Sequence, residues 1–382
     1  MPPAHRYPPH WGGGTRDTIV TPGCDTQTVR LGLALFAVAL TFACTTTTQG
    51  GPATGAPTPV ALVTLTPEGA EPSSDATAPP SVTQLGLSEY RVGKGQGPHD
   101  VAPAPDGGVW YTAQRTGELG RLDPKTGAYK MIKLGAGSAP HGVIVGPDGN
   151  AWVTDGGLNA IVRVDSKTNE VTRYPLPAGR GNANLNTATF DKNGTLWFTG
   201  QSGIYGRLDP KTGAVTVYDS PRGAGPYGIT TCPDGSVYYA SLASSFIGRI
   251  DLQSGQVEVI EPPTARQGAR RVWCDTKNNV WVAEWNTGML ARYRPALTPG
   301  WKEWKLPGAN PMAYAVYADE QDIVWVTDFG ANALVRFDPA SETFTSIPLS
   351  GPDAAVRQLL GRPGEVWGAM SGLDKLLVVR TR

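Results

Sequence analysis

The chain predicts an all-β fold, a seven-bladed β-propeller of four-stranded blades, and three observations carry that prediction. Trp110, Trp152, Trp197, Tyr238, Trp281, Trp325 and Trp367 recur at separations of 41 to 45 residues, each within the same pattern of strand and turn signals. Units of roughly 40 to 50 residues with four short strands are propeller blades, whereas ankyrin-type helical repeats recur at about 33. No stretch after residue 86 shows a helical hydrophobic period. Finally, the last unit ends one strand short, and a matching strand stands ahead of the first.

In chain order, Arg30 precedes an apolar stretch from Leu31 to Ala43, which is short for a bilayer span and has the length of a signal h-region. Residues 1–44 therefore read as an export signal. Cys44 directly after Ala43 resembles the acylated cysteine of a bacterial lipoprotein, although Thr41 stands where that pattern prefers Leu. Residues 45–86, rich in Thr, Pro, Ala and Gly, cannot build a core and read as a disordered tether. The propeller is expected over 87–382, on an exported and membrane-anchored protein whose only link to the membrane is the lipid.

Ser88 to Val92 has the pattern of an outer strand such as Val171 to Tyr174. Blade 1 follows, with the turn Pro105-Asp106-Gly107, Trp110 and the segment Gly120-Arg121-Leu122-Asp123-Pro124-Lys125-Thr126-Gly127. Blade 2 places an inner strand at His141 to Val145, a second at Ala151 to Thr154, a third at Ile161 to Asp165 and an outer strand at Glu170 to Tyr174. The Asp-Gly and Lys-Thr-Gly tips supply the positive φ of tight hairpins. After Trp367 only Lys375 to Arg380 remains as a third strand, so Ser88 to Val92 is expected to complete blade 7 and close the ring, leaving no exposed edge there.

With 33 basic and 33 acidic residues the chain is neutral, and no basic run or stacking array argues for a nucleic-acid partner. A monomer with a small-molecule or peptide ligand is expected. Cys232 and Cys274 fall near the ends of neighbouring inner strands and read as two buried free thiols, since such strands ordinarily stand too far apart for a disulfide. Export would permit a bridge.

In an antiparallel blade the start of the inner strand and the end of the second strand share one edge, so residues there meet at one mouth of the channel. Alignment on the aromatics puts His99, His141, Asn186, Tyr227, Arg270, Met312 or Ala313, and Arg357 at the first place. Ala113, Asp155, Gly200, Ser241, Glu284, Asp328 and Met370 take the second. His99 and His141 are the only histidines beyond the first ten residues. A neutral imidazole can accept a proton or bind metal, and Asp155 could orient it or hold a cation. Arg270 and Arg357, with Arg271 adjacent, favour an anionic ligand instead, unless Glu284 and Asp328 neutralise them.

Gly225-Pro226-Tyr227-Gly228-Ile229-Thr230, Ala139-Pro140-His141-Gly142-Val143, Leu196-Trp197-Phe198-Thr199 and Ile247-Gly248-Arg249-Ile250-Asp251 together resemble the virginiamycin B lyase (streptogramin lyase) family over roughly 87–382. That resemblance implies a seven-bladed propeller that opens streptogramin B antibiotics by elimination at the ester, with Mg²⁺, a function of antibiotic resistance. It implies His141 as general base, His99 as a substrate or ester contact and Asp155 as a metal ligand. Asn186, Tyr227, Arg270 and Arg357 would line the substrate site. The chain departs from the pattern at Ala139, where the family has a metal-holding Glu, and at Asp155, where it has Glu. The histidines also occupy the first two blades rather than the last two.

Three readings follow: a metal-assisted carbon–oxygen lyase; a non-catalytic exported propeller capturing a peptide, sugar or anionic ligand; and a lactonase-like hydrolase with Ca²⁺ on Asn186, Glu284 and Asp155.

Overall fold

The computed structural model describes residues 63–64 and 86–381; the signal expected over 1–44 and most of the tether expected over 45–86 lie outside the described residues. Seven antiparallel sheets form, and no helix occurs among the described residues. Blade 1 runs from an inner strand Pro98–Pro103 through Val109–Ala113 and Glu118–Leu122 to an outer strand Tyr129–Lys133. The inner strands of blades 2 to 7 are Pro140–Val145, Leu185–Phe190, Pro226–Thr231, Ala269–Cys274, Ala313–Ala318 and Val356–Arg362. Gly86–Arg91 pairs with Lys375–Arg380 as the fourth strand of the seventh sheet, and Val63–Thr64 adds a short edge to blade 6 by pairing with Ser346 and Thr345.

The repeated tryptophans explain the period. All six are essentially inaccessible to solvent, and each joins a core shared between blades: Trp110, for example, packs with Val143, Ala151 and Val153 of blade 2. A buried indole needs an acceptor for its N–H. Trp197, Trp281 and Trp325 donate to Asp191, Asp275 and Asp319, six residues earlier in each turn, at 2.9 Å. Trp110 has Ala104 at that place, and its Nε1 is left unbonded while Arg121 lies over the ring at 4.4 Å. The glycine at the middle of the third strand in blades 1, 3 and 4 has a steric cause: a Cβ on Gly120, Gly206 or Gly248 would fall within 2.5 Å of the Tyr111, Phe198 or Tyr239 ring.

Cys232 and Cys274 form a disulfide between blades 4 and 5, which corrects the free-thiol expectation. Their Cα atoms are 5.1 Å apart, inside the disulfide range, because inner strands crowd together around the axis.

Candidate functional site

Every inner strand has a register shift just after its first residue, and this fixes which side chain faces the axis. Pro98, Pro140, Leu185, Pro226, Ala269, Ala313 and Val356 each oppose the last residue of the second strand, and the residue after each forms the ring: His99, His141, Asn186, Tyr227, Arg270, Tyr314 and Arg357. Blade 6 thus contributes Tyr314. Met312, one of the two residues expected there, is exposed and gives its N–H to Asp328, while Ala313 is the paired residue; the bulge moves the axial position along by one.

The ring side chains touch across blades. The His99 and His141 rings have centroids 3.8 Å apart, and the Tyr227 and Tyr314 hydroxyls are 2.6 Å apart. Arg270 lies over Tyr314 at 3.7 Å, Trp285 at 4.5 Å and Tyr227 at 4.6 Å, and its Nη2 donates to the Tyr227 hydroxyl. Arg357 donates to the Ser371 hydroxyl and lies 5.9 Å from the Tyr314 ring.

Behind this ring a buried bar crosses the axis. Arg271 of blade 5 donates from Nη2 to both oxygens of Asp100 in blade 1, at 2.9 and 3.2 Å, and from Nη1 to the Thr187 hydroxyl in blade 3 at 2.6 Å. Asp100 in turn meets His99 Nδ1 at 2.8 Å. Neither Asp100 nor Arg271 was singled out by the spacing of the repeats as a partner for the other. The available signals were the acid directly following His99 and the doubled arginine.

The two histidines differ in what their nitrogens do. His141 Nδ1 faces the Asn186 carbonyl at 3.1 Å and so carries the proton; its Nε2 accepts from the Asn186 amide at 3.2 Å. Both nitrogens are engaged. His99 points Nδ1 at Asp100 and leaves Nε2 without a hydrogen bond among the described residues. The geometry therefore makes His99, rather than His141, the imidazole with a free lone pair. Burial above all, then the charges of Arg357, Arg271 and Arg270, holds His99 well below the ordinary histidine range. His141 is held down by burial and then by His99. Both are neutral at pH 7.

Asp155 is not brought to the histidines. Its carboxylate accepts from the Ser138 hydroxyl and from the backbone N–H groups of Ala139, Gly157 and Leu158, bracing the loop beside it. Asp328 braces the corresponding loop of blade 6 through Met312 and Gly330. Glu284 is fully buried, with burial first and the neighbouring Glu303 second pushing its carboxyl up to about 8. Among the described residues, neither Arg270 nor Arg357 forms an ion pair with a carboxylate. Asn186, Glu284 and Asp155, the trio expected for Ca²⁺, are each occupied separately.

His99, Asp100 and His141 can bring ligand atoms within 4.8 Å of one another. They do not suit Mg²⁺. That ion requires several oxygen ligands, whereas this trio offers one carboxylate, already doubly bonded to Arg271, and three guanidiniums stand nearby. Ala139 contributes only a backbone N–H, given to Asp155.

The chain matches the virginiamycin B lyase family over residues 81–299. Similar solved structures include a streptogramin B lyase, at 25% identity, 78% of this chain, 97% of that chain and a TM-score of 0.71. The virginiamycin B lyase of Staphylococcus aureus matches at 23% identity, 78% of this chain, all of that chain and a TM-score of 0.72. A Kuenenia stuttgartiensis hydrazine synthase, at 15% identity over 76% of this chain and 97% of that one with a TM-score of 0.61, shows the fold alone. No curated protein sequence gives a significant match. Since the family match covers more than half of the chain and the lyase propellers align along nearly their whole length, this chain belongs to the virginiamycin B lyase family.

Proposed function

We propose that the protein captures a small anionic ligand at the mouth of its channel. The observation that carries this reading is charge balance. Arg270, Arg271 and Arg357 converge on the axis, the histidines there are neutral, and among the described residues only Asp100 pairs with one of the three. Two guanidiniums are left uncompensated in a poorly solvated place, where an anion is attracted far more strongly than at an open surface. The disulfide supports an oxidising compartment, which agrees with an export signal over 1–44 and a lipid anchor at Cys44.

Titration of the purified protein with acetate, followed by calorimetry, is expected to show saturable binding that Arg357→Met weakens at least tenfold. The affinity is also expected to fall with rising pH. Burial resists ionisation of Tyr314, but Arg270, Arg357 and Arg271 outweigh it and bring the phenol down to about 8. Above that pH the phenolate neutralises one guanidinium and repels the ligand. Binding that ignores both Arg357 and pH would sink the proposal.

A second reading, carbon–oxygen lysis of an ester, is favoured by the Asp100-backed His99 with its free Nε2. His99 would take a proton from the carbon next to the C–O carbon, the double bond would form as the C–O bond breaks, and the departing carboxylate would meet Arg270 and Arg357. Its depressed basicity weakens this step. Incubation with a streptogramin B should then give a linear product by mass, insensitive to EDTA and lost in His99→Ala; no product excludes it.

A further inference from the structure

We propose that the anion captured here is a carboxylate carried on an aromatic body, bound with its charge toward Arg270 and Arg357 and its ring against the rim of blades 4 to 6. This rests on the anion-capture reading. Three observations on different parts of the mouth support it.

The floor is closed. Beneath the ring, the Asp100–Arg271–Thr187 bar crosses the axis, and the cavity behind it, bounded by Arg271, Thr187, Gly228 and Gln358, has a volume of about 20 Å³. That is room for roughly one water. A ligand cannot thread the propeller and must leave its larger part at the mouth.

The cationic end is prepared for a planar acid. Arg270 is held among three aromatic rings, and its Nε is buried with no hydrogen-bond partner. A guanidinium already oriented by stacking offers a planar donor edge that matches a carboxylate, and little side-chain entropy remains to be lost.

The rim is lopsided. Directly after the second strands, blades 4, 5 and 6 carry Leu242, Trp285 and Phe329, all partly buried against the core below, whereas blades 1, 2 and 3 carry Gln114, Gly156 and Gln201. Phe329 stacks on Tyr314 at 4.5 Å and stands edge-on to Trp285 at 5.5 Å, so an aromatic surface runs from the arginines outward. An inorganic anion would leave that surface unused; an aryl acid covers it while meeting the charge.

The test compares 3-phenylpropionate, acetate and 3-phenylpropanol by calorimetry on the wild type and on Arg357→Met, Phe329→Ala and Phe329→Leu. Phe329→Leu keeps apolar bulk should alanine unsettle the blade. We expect 3-phenylpropionate to bind at least tenfold more tightly than acetate, the ratio to fall to about threefold in both Phe329 variants, and Arg357→Met to weaken both acids alike. Acetate binding as tightly as 3-phenylpropionate would overturn the aromatic body while leaving anion capture standing. The alcohol binding as tightly as the acid, or none of the three binding, would overturn both.

Discussion

Glu284→Gln is expected to make the protein more stable at pH 8, by about 2–4 kcal/mol, and to flatten its stability between pH 5 and 8. Glu284 closes the second strand of blade 5 with no exposed surface; one oxygen accepts from the Thr287 hydroxyl at 3.1 Å and the other has no partner. Burial and then Glu303 push its carboxyl up to about 8 from the ordinary 4.5. Between those two values the folded protein keeps a proton that the unfolded chain has released. Folding is thus most favoured below the lower value and loses roughly 1.4 kcal/mol per pH unit as pH rises through the window. A glutamine amide can accept from Thr287 and donate toward Glu303 without ionising. Urea denaturation of both proteins at pH 5.5 and pH 8 isolates this group from all others. Parallel pH dependences, or a less stable variant at pH 8, would show that Glu284 is hydrated and charged.

This carboxyl also shows where sequence and structure part. Blade count and strand order were legible because the tryptophans recur at nearly constant spacing, and a large side chain that must be buried between blades cannot drift. The candidate ring was legible to within one or two residues for the same reason. Blade 6 slipped to Met312 or Ala313 although its bulge is the one found in every inner strand and Tyr314 stands eleven residues before Trp325, as His99 stands before Trp110. The destinations of the acids were not legible. Asp155, Glu284 and Asp328 stand at equivalent places and all look free in the sequence, yet two are held by loop N–H groups and one lies buried beside another carboxylate. The family resemblance implied His141 as the general base; only the Asn186 carbonyl and amide, from the next blade, show that both its nitrogens are engaged.

The Asp100–Arg271 bar carries the other large expected effect. Asp100 and Arg271 are 1% and 4% exposed and lie 171 residues apart in the chain, joining blades that are not neighbours. Removing a single partner leaves an uncompensated charge at the centre of the propeller, which typically costs 3–5 kcal/mol, whereas replacing both together is close to neutral. Arg271→Met is therefore expected to lower the unfolding free energy by about 3–4 kcal/mol, Asp100→Asn to act in the same direction, and the double variant to recover most of the loss. Chemical denaturation of the four proteins closes the cycle. A loss below about 1 kcal/mol in Arg271→Met would mean that water reaches the bar and the floor of the mouth is open. A double variant that recovers nothing would mean that the contact of the guanidinium with the Tyr227 ring, at 5.3 Å, outweighs its pairing with Asp100. The outcome also bears on the site: the same bar closes the channel and orients His99, so a double variant that is stable but no longer binds acetate would tie the geometry of the mouth to the pair rather than to the fold.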